Sequence, residues 1–266
     1  MRNFSKKPLV EAIMEIKFST TDEPLPSNRK AGELIPFEVD PNFKIFFARF
    51  YDLVISNNLY PEYHKLPQAE IPEELAMHIV QHRFTSEGGN WPLVQLGPGV
   101  ITLNETDNYC WNDFSRRAIE IFEILNTVHP KREDLKITHV TLRYINALPF
   151  SDEQDIVEFL NENMKLNINF DDELLNKTNL NKSSDVFRLT NTFRSEDPEC
   201  LFVNSIDIGE KDDSKAIIWE LFCRSKTNRI SAKSLNEFEL WLDGAHKIID
   251  RWFMETVKGN LEKGFD

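Results

Sequence analysis

Residues 137–148, ITHVTLRYINAL, constrain the fold of this chain more than any other stretch. Val140, Leu142 and Tyr144 alternate there with His139, Thr141 and Arg143. Successive side chains of a strand point to opposite faces, so the pattern predicts a half-buried strand with one apolar and one polar face. The stretch lies at the middle of the 266 residues, and the segments on either side of it read as two copies of one plan.

In the first copy, residues 10–18 alternate similarly, with Val10, Ala12, Met14, Ile16 and Phe18 opposing Glu11, Glu15 and Lys17. A polar connection over residues 20–34, rich in Pro and Ser, predicts a loop. Asp40-Pro41 then opens a helix, with Asp as cap and Pro at the first helical position. Phe43, Phe46, Phe47, Phe50, Tyr51 and Val54 follow at helical spacing. This stripe reads as core before it reads as a ligand wall, because amphipathic helices bury such a face. Residues 77–85, 91–96 and 100–104 predict three short strands, the last two joined by the turn Gly97-Pro98-Gly99. Those glycines do not form a phosphate loop, since strand patterns flank them on both sides and no helix start follows. Residues 108–129 predict a second helix, ended by Pro130.

In the second copy, Ser151-Asp152-Glu153-Gln154 has the form of a capping box and predicts a helix to about residue 164. A polar run over residues 171–185 predicts an exposed loop or a short excursion, and strands are expected at 186–194, 200–207 and 216–224. Ser234-Leu235-Asn236-Glu237 starts the last helix, whose stripe runs through Phe238, Trp241, Leu242, Ala245, Ile248, Ile249, Trp252 and Phe253. The element order is β-α-β-β-β-α, twice. It predicts an α+β fold of two pseudo-symmetric halves, 1–133 and 134–266, with antiparallel sheets and helices packed on one side. The sheets are expected to join or lie side by side, which allows one continuous domain. The order resembles the TATA-binding-protein-like and helix-grip folds, a likeness of topology from which no function follows.

A hydrophobic content of 41% with 20 phenylalanines indicates a folded globular chain. The net charge of −13 opposes non-specific nucleic-acid binding, although it permits a local basic patch. Three cysteines without a CxxC pair argue against a disulfide scaffold or a cysteine zinc site, and point to a reducing, cytoplasmic setting. The apolar part of the N-terminal segment is interrupted by Glu11, Glu15 and Lys17, so it does not read as a signal peptide. No run approaches the ~18 apolar residues of a membrane span.

Catalytic chemistry is hard to find. His78 and His82, if in a strand, sit ~13 Å apart, too far to share a metal ion. His246 lies three and four residues from Asp243 and Asp250 on the last helix, and this trio reads as helix-surface contacts before it reads as an oriented base. No serine nucleophile motif is present, and no cysteine can be tied to a histidine. The acidic groups Asp152/Glu153/Asp155 and Asp171/Asp172/Glu173 read as solvated charge. No catalytic residue, metal site or cofactor is therefore expected.

The alternation of the strands makes one further prediction. Val186, Arg188, Thr190, Thr192 and Arg194 share a face, as do Glu220, Phe222 and Arg224, and His139 and Arg143 belong to the polar set of the central strand. Together they predict a polar sheet face, away from the helices, on which Arg143, His139, Arg188, Arg194, Glu220 and Arg224 form a ligand- or partner-binding surface. Arginine suits carboxylates, phosphates or an acidic partner segment through bidentate hydrogen bonds. The competing expectation is an ordinary solvated face, its arginines paired to Glu220 and its neighbours across strands.

Several segments also resemble an uncharacterised, sporadically distributed family of prokaryotic proteins of about this length. They are Pro8-Leu9-Val10-Glu11-Ala12, Gln95-Leu96-Gly97-Pro98 with Tyr109 and Trp111, Leu142-Arg143-Tyr144-Ile145-Asn146, and Leu242-Asp243-Gly244-Ala245-His246 with Phe253. The resemblance carries no catalytic residues, and it implies a mobile-element or defence context. The leading expectation is a non-enzymatic binding or assembly module for a protein partner. A small-anion or nucleotide sensor using the arginine face is the alternative, and an enzyme whose catalytic group is not legible in the sequence comes third.

Overall fold

The computed structural model describes residues 8–20, 40–72, 75–89, 91–106, 109–151, 154–178 and 186–265. Nine antiparallel strands form one sheet: β1 (Leu9–Ser19), β2 (Glu62–Lys65), β3 (His82–Thr85), β4 (Leu93–Gly97), β5 (Val100–Glu105), β6 (Lys136–Pro149), β7 (Arg188–Glu196), β8 (Glu199–Lys211) and β9 (Ser214–Ser225). Their spatial order is β2-β3-β4-β5-β1-β6-β9-β8-β7. The first strand of each sequence segment, β1 and β6, therefore lies at the centre; the last strand of each segment, β5 or β9, pairs with it, and successively earlier strands lie further out. An unbroken ladder from Glu11↔Ile145 to Lys17↔His139 joins the two sides.

The described helices are α1 (Phe43–Ser56), α2 (Trp111–Val128), α3 (Ile156–Asn163), α4 (Asp172–Thr178), α5 (Leu235–Val257) and α6 (Asn260–Phe265). Of these, α1, α2 and α5 cover one face of the sheet, and none of the three lies on the other, hereafter the helix-free face. That covered face carries Met14, Ile16, Leu142, Tyr144, Trp219 and Leu221, all buried. The stripe of α1 buries Phe43, Phe46, Phe50 and Val54, and Phe46 meets Phe18 edge-on at 5.6 Å. Phe122 of α2 stacks on Phe238 of α5 at 4.3 Å, so the two longest helices pack on each other above the junction of β1 and β6. The architecture is α+β, with two layers.

Local chemistry explains most of the boundaries. Ser234 caps α5 by accepting the Glu237 amide at 3.3 Å. The turn at Pro98 and Gly99 needs φ +67° at Gly99, a conformation that glycine adopts at no steric cost. Other boundaries differ from the sequence expectation. Asp155, not the box at 151–154, caps α3 by accepting from Glu158 at 2.9 Å, and Asp152 and Glu153 lie outside the described residues. Residues 41 and 42 form a turn, so α1 begins two residues later than expected, with Asn42 at the cap position making no side-chain cap bond and its amide donating to Asp40 at 2.9 Å. Residues 21–34 of the polar connection also lie outside the described residues.

Among the described residues the first segment holds four strands after its helix, not three. The extra one is β2, whose sequence Glu62-Tyr63-His64-Lys65 has no apolar alternation and is held in place by pairing with β3. The extended pattern expected at 77–85 is interrupted by His78, with φ +63°, and only residues 82–85 join the sheet. Within the polar run at 171–185, Asp172–Thr178 forms a short helix, and residues 179–185 are outside the described residues.

Candidate functional site

The registers arrange the helix-free face as a grid. Across β6, β9, β8 and β7, one row reads Thr141, Arg224, Leu201, Arg194 and the next reads Arg143, Phe222, Val203, Thr192. Two further rows read Ile145, Glu220, Ser205, Thr190 and Ala147, Ile218, Asp207, Arg188. All five expected residues of β6, β7 and β9 other than His139 thus fall on one surface in adjacent rows. His139 lies on the same face at the far end of β6, opposite Lys17.

Phe222 is the centre of this surface. The guanidinium carbons of Arg143 and Arg224 lie 5.1 and 5.7 Å from its ring centroid. A cation over an aromatic face is attracted by the ring quadrupole, so Phe222 holds two like charges close together that would otherwise repel. Glu220 is only a distant partner, with its carboxylate 3.9 Å from Arg143 Nη1. Among the described residues, Arg224 makes no ion pair, and Arg194 stands exposed two strands away, ~10 Å at the usual strand spacing. Each guanidinium offers five N–H donors, and most of those on Arg143, Arg224 and Arg194 are directed at nothing in the described protein.

The other expected residues are engaged. Arg188 donates from Nε to Asp207 at 2.7 Å, with its Nη2 2.6 Å from the same carboxylate oxygen. His139 Nε2 lies 3.0 Å from the Thr227 hydroxyl, and burial, with Arg224 and Lys17 nearby, holds its pKa below the ordinary value. The β1–β5 side of the same face is closed by its own short bonds: Thr102 donates to Asn104 at 2.7 Å, and Asn104 donates to Glu11 at 2.7 Å. Spare donors therefore concentrate on the β6–β9–β8–β7 side. The apolar residues interleaved with them, Val203 and the exposed Leu201, become legible only through register.

Other candidate groups prove structural. His82 faces the helices, stacked on Phe47 at 4.0 Å and bonded through Nδ1 to the Tyr63 hydroxyl at 2.9 Å. His78 sits by Lys17 and His139 on the opposite side, so the two histidines do not converge. Among the described residues, no cluster of three His, Cys, Asp or Glu side chains could hold a metal. His246 is not a helix-surface residue, as the sequence suggested, but a buried one. Its Nδ1 lies 2.9 Å from the Tyr144 hydroxyl, which lies 2.6 Å from the Tyr109 hydroxyl, and Trp111 stacks on the imidazole at 3.8 Å. Asp243 pairs with Lys247 instead, at 2.5 Å. Burial lowers the His246 pKa to about 4 and raises those of both tyrosines, so this chain of hydroxyls is uncharged near neutrality. Tyr109, Trp111, Tyr144 and His246 all belong to the segments that carry the family resemblance, and here they lock α2, β6 and α5 together.

A second buried device joins Asp40 to His129. Lys131 donates its amide to His129 Nδ1 at 3.2 Å, which leaves Nε2–H to donate to Asp40 at 2.7 Å. An Asp–His pair is familiar from catalytic triads, but both side chains are sealed, and the adjoining Thr20 hydroxyl donates to Asp40 Oδ1 at 3.3 Å, not to the imidazole. It pins the entry of α1 to the exit of α2.

No family model, no curated protein and no solved structure matches the chain. No described helix is long and apolar enough to cross a membrane.

Proposed function

We propose that the protein is a non-enzymatic binding module whose helix-free sheet face holds an acidic segment of a protein partner. The reading rests on the Arg143–Phe222–Arg224 group, two guanidiniums assembled on one ring with most of their donors unused. A partner carboxylate can take the place that Glu220 fills only at 3.9 Å, accepting two parallel N–H bonds. The surrounding Leu201, Val203 and Ile218 supply apolar contact for an extended segment, while Thr190, Thr192 and Ser205 supply hydrogen bonds. The overall charge of −13 repels an acidic partner at long range. Screening limits that repulsion to about 8 Å at physiological salt, so recognition is governed by local contacts.

The test is purification of the tagged protein from its native host, with mass spectrometry of whatever it retains. A stoichiometric protein companion, retained by the wild type and lost from the folded Arg143→Ala/Arg224→Ala variant, supports the reading. A companion retained equally by the variant refutes the site. A lone protein whose melting temperature rises with phosphate or a dicarboxylate would make the face a small-anion sensor instead.

A further inference from the structure

The two edges of the sheet differ. β2 is four residues long, a common way of blunting an edge. β7 is nine residues long, from Arg188 to Glu196, and contains neither proline nor glycine. Its register with β8 runs without a bulge from Arg188↔Asp207 to Glu196↔Glu199. Among the described residues nothing pairs with its outer side, and Phe193 beside it is 45% exposed. Such an edge presents a row of unused backbone donors and acceptors.

The order of its side chains points to one occupant. We propose that β7 pairs antiparallel with β7 of a second copy, about a twofold axis through Thr192. Identical antiparallel strands match hydrogen-bonding sides only when the paired residue numbers have an even sum. With the axis at Thr192, Arg188 of each copy opposes Glu196 of the other, and Thr190 opposes Arg194. Thr192 meets its own counterpart, a favourable cross-strand pair. Moving the axis one residue back to Asn191 sets Arg188 against Arg194, a like-charge pair. Moving it forward to Phe193 leaves Arg188 without Glu196. Charge order therefore selects the Thr192 register and makes the edge complementary to itself. On the helix side the two Phe193 rings come within diagonal reach across the axis. A twofold axis perpendicular to the sheet keeps both helix-free faces on the same side, so the two arginine surfaces become parts of one larger surface. The pairing stands independently of what that surface binds.

Sedimentation of the full chain across micromolar concentrations tests the proposal. The wild type is expected to reach twice the 31.1 kDa chain mass. Arg188→Glu and Glu196→Arg each turn two attractive pairs into two repulsive ones, and each should weaken the dimer about tenfold or more. Mixed in equal amounts, the two variants should form a heterodimer as tight as the wild-type dimer, since every pair is then attractive. Glu196→Arg also replaces the Glu196–Glu199 contact with opposite charges, so its monomer is expected to melt no lower than the wild type. A wild type that stays monomeric, single variants that dimerise as well as the wild type, or a mixture that stays monomeric would each overturn the pairing. The first result, combined with capture of an extended peptide along β7, would assign the edge to another chain.

Discussion

Replacing Asp40 by alanine should cost this protein more than any surface substitution, and the structure indicates how much. The carboxylate accepts from His129 Nε2 at 2.7 Å, and its other oxygen accepts from the Asn42 amide at 2.9 Å and side chain at 3.1 Å. Both partners are buried, with 0% and 2% of the His129 and Asp40 side chains exposed. The alanine variant leaves the imidazole N–H without an acceptor, between the rings of Phe18 and Phe46. Leaving this neutral donor unsatisfied costs about 1–3 kcal/mol and each lost bond from Asn42 about 1 more, together about 3–5 kcal/mol. At about 2–4 °C per kcal/mol for a chain of this size, melting should fall by ~10 °C. His129→Leu should cost about as much, and the double variant should cost less than the sum by ~2 kcal/mol, because either change alone already breaks the pair. Burial opposes ionisation of Asp40, but the bonds from His129 and Asn42 outweigh it and hold the carboxyl below its ordinary value of 3.8. A depressed carboxyl stabilises the fold fully above the unfolded value, and that contribution is lost as pH falls through the folded one. The stability gap between wild type and Asp40→Ala should therefore be constant from neutral pH to about pH 5, then narrow as pH drops below 3.8. Urea unfolding followed by tryptophan fluorescence at a series of pH values measures the gap directly. A cost under ~1 kcal/mol at neutral pH, or a gap that widens in acid, would refute the assignment of this pair.

Three other expectations follow from the same coordinates. Burial takes His246 to about 4 from an ordinary 6.5, so the unfolded chain binds a proton between those values that the fold refuses. Stability should fall as pH drops through that window, and His246→Gln should flatten the fall, with an NMR titration midpoint for the wild-type ring near 4 as the direct check. A Cβ on Gly97 would lie 1.9 Å from the Ile79 carbonyl oxygen, whereas one on Gly264 would meet nothing within 4 Å. Gly97→Ala should lower the unfolding free energy by about 2 kcal/mol or more, with Gly264→Ala, measured by the same denaturation, changing it by under ~0.5. Cys110 is exposed while Cys200 and Cys223 are buried, so a thiol reagent should titrate one cysteine in the native protein and all three after unfolding. Rapid native labelling of Cys223 would contradict its place under α5.

The faces of the long strands could be read from the chain because alternation is a local property. Each second residue of β1, β6 and β9 is apolar, and a pleated strand sends those residues to one side whatever it pairs with. The α5 cap at Ser234, the turn at Gly99 and the stripes of α1 and α2 were legible for the same reason, since each depends on residues a few positions apart. The sharing of one polar face by Arg143, Arg188, Arg194, Glu220 and Arg224 also followed from parity alone. Parity does not say which residues stand side by side. Phe222 comes between Arg143 and Val203, and Leu201 between Arg224 and Arg194, only through the order β6-β9-β8-β7 and its registers. The strand β2 carries no pattern of its own and owes its conformation to β3. His129 and Asp40 are 89 residues apart, and His246 and Tyr144 are 102 apart. A histidine in isolation looks the same at a solvated helix surface and in a sealed core, and what separates the two is which distant chain folds over it. Local periodicity thus determined the elements and their faces, whereas long-range packing decided the pairings, the buried histidines and the gathering of Arg143 and Arg224 around Phe222.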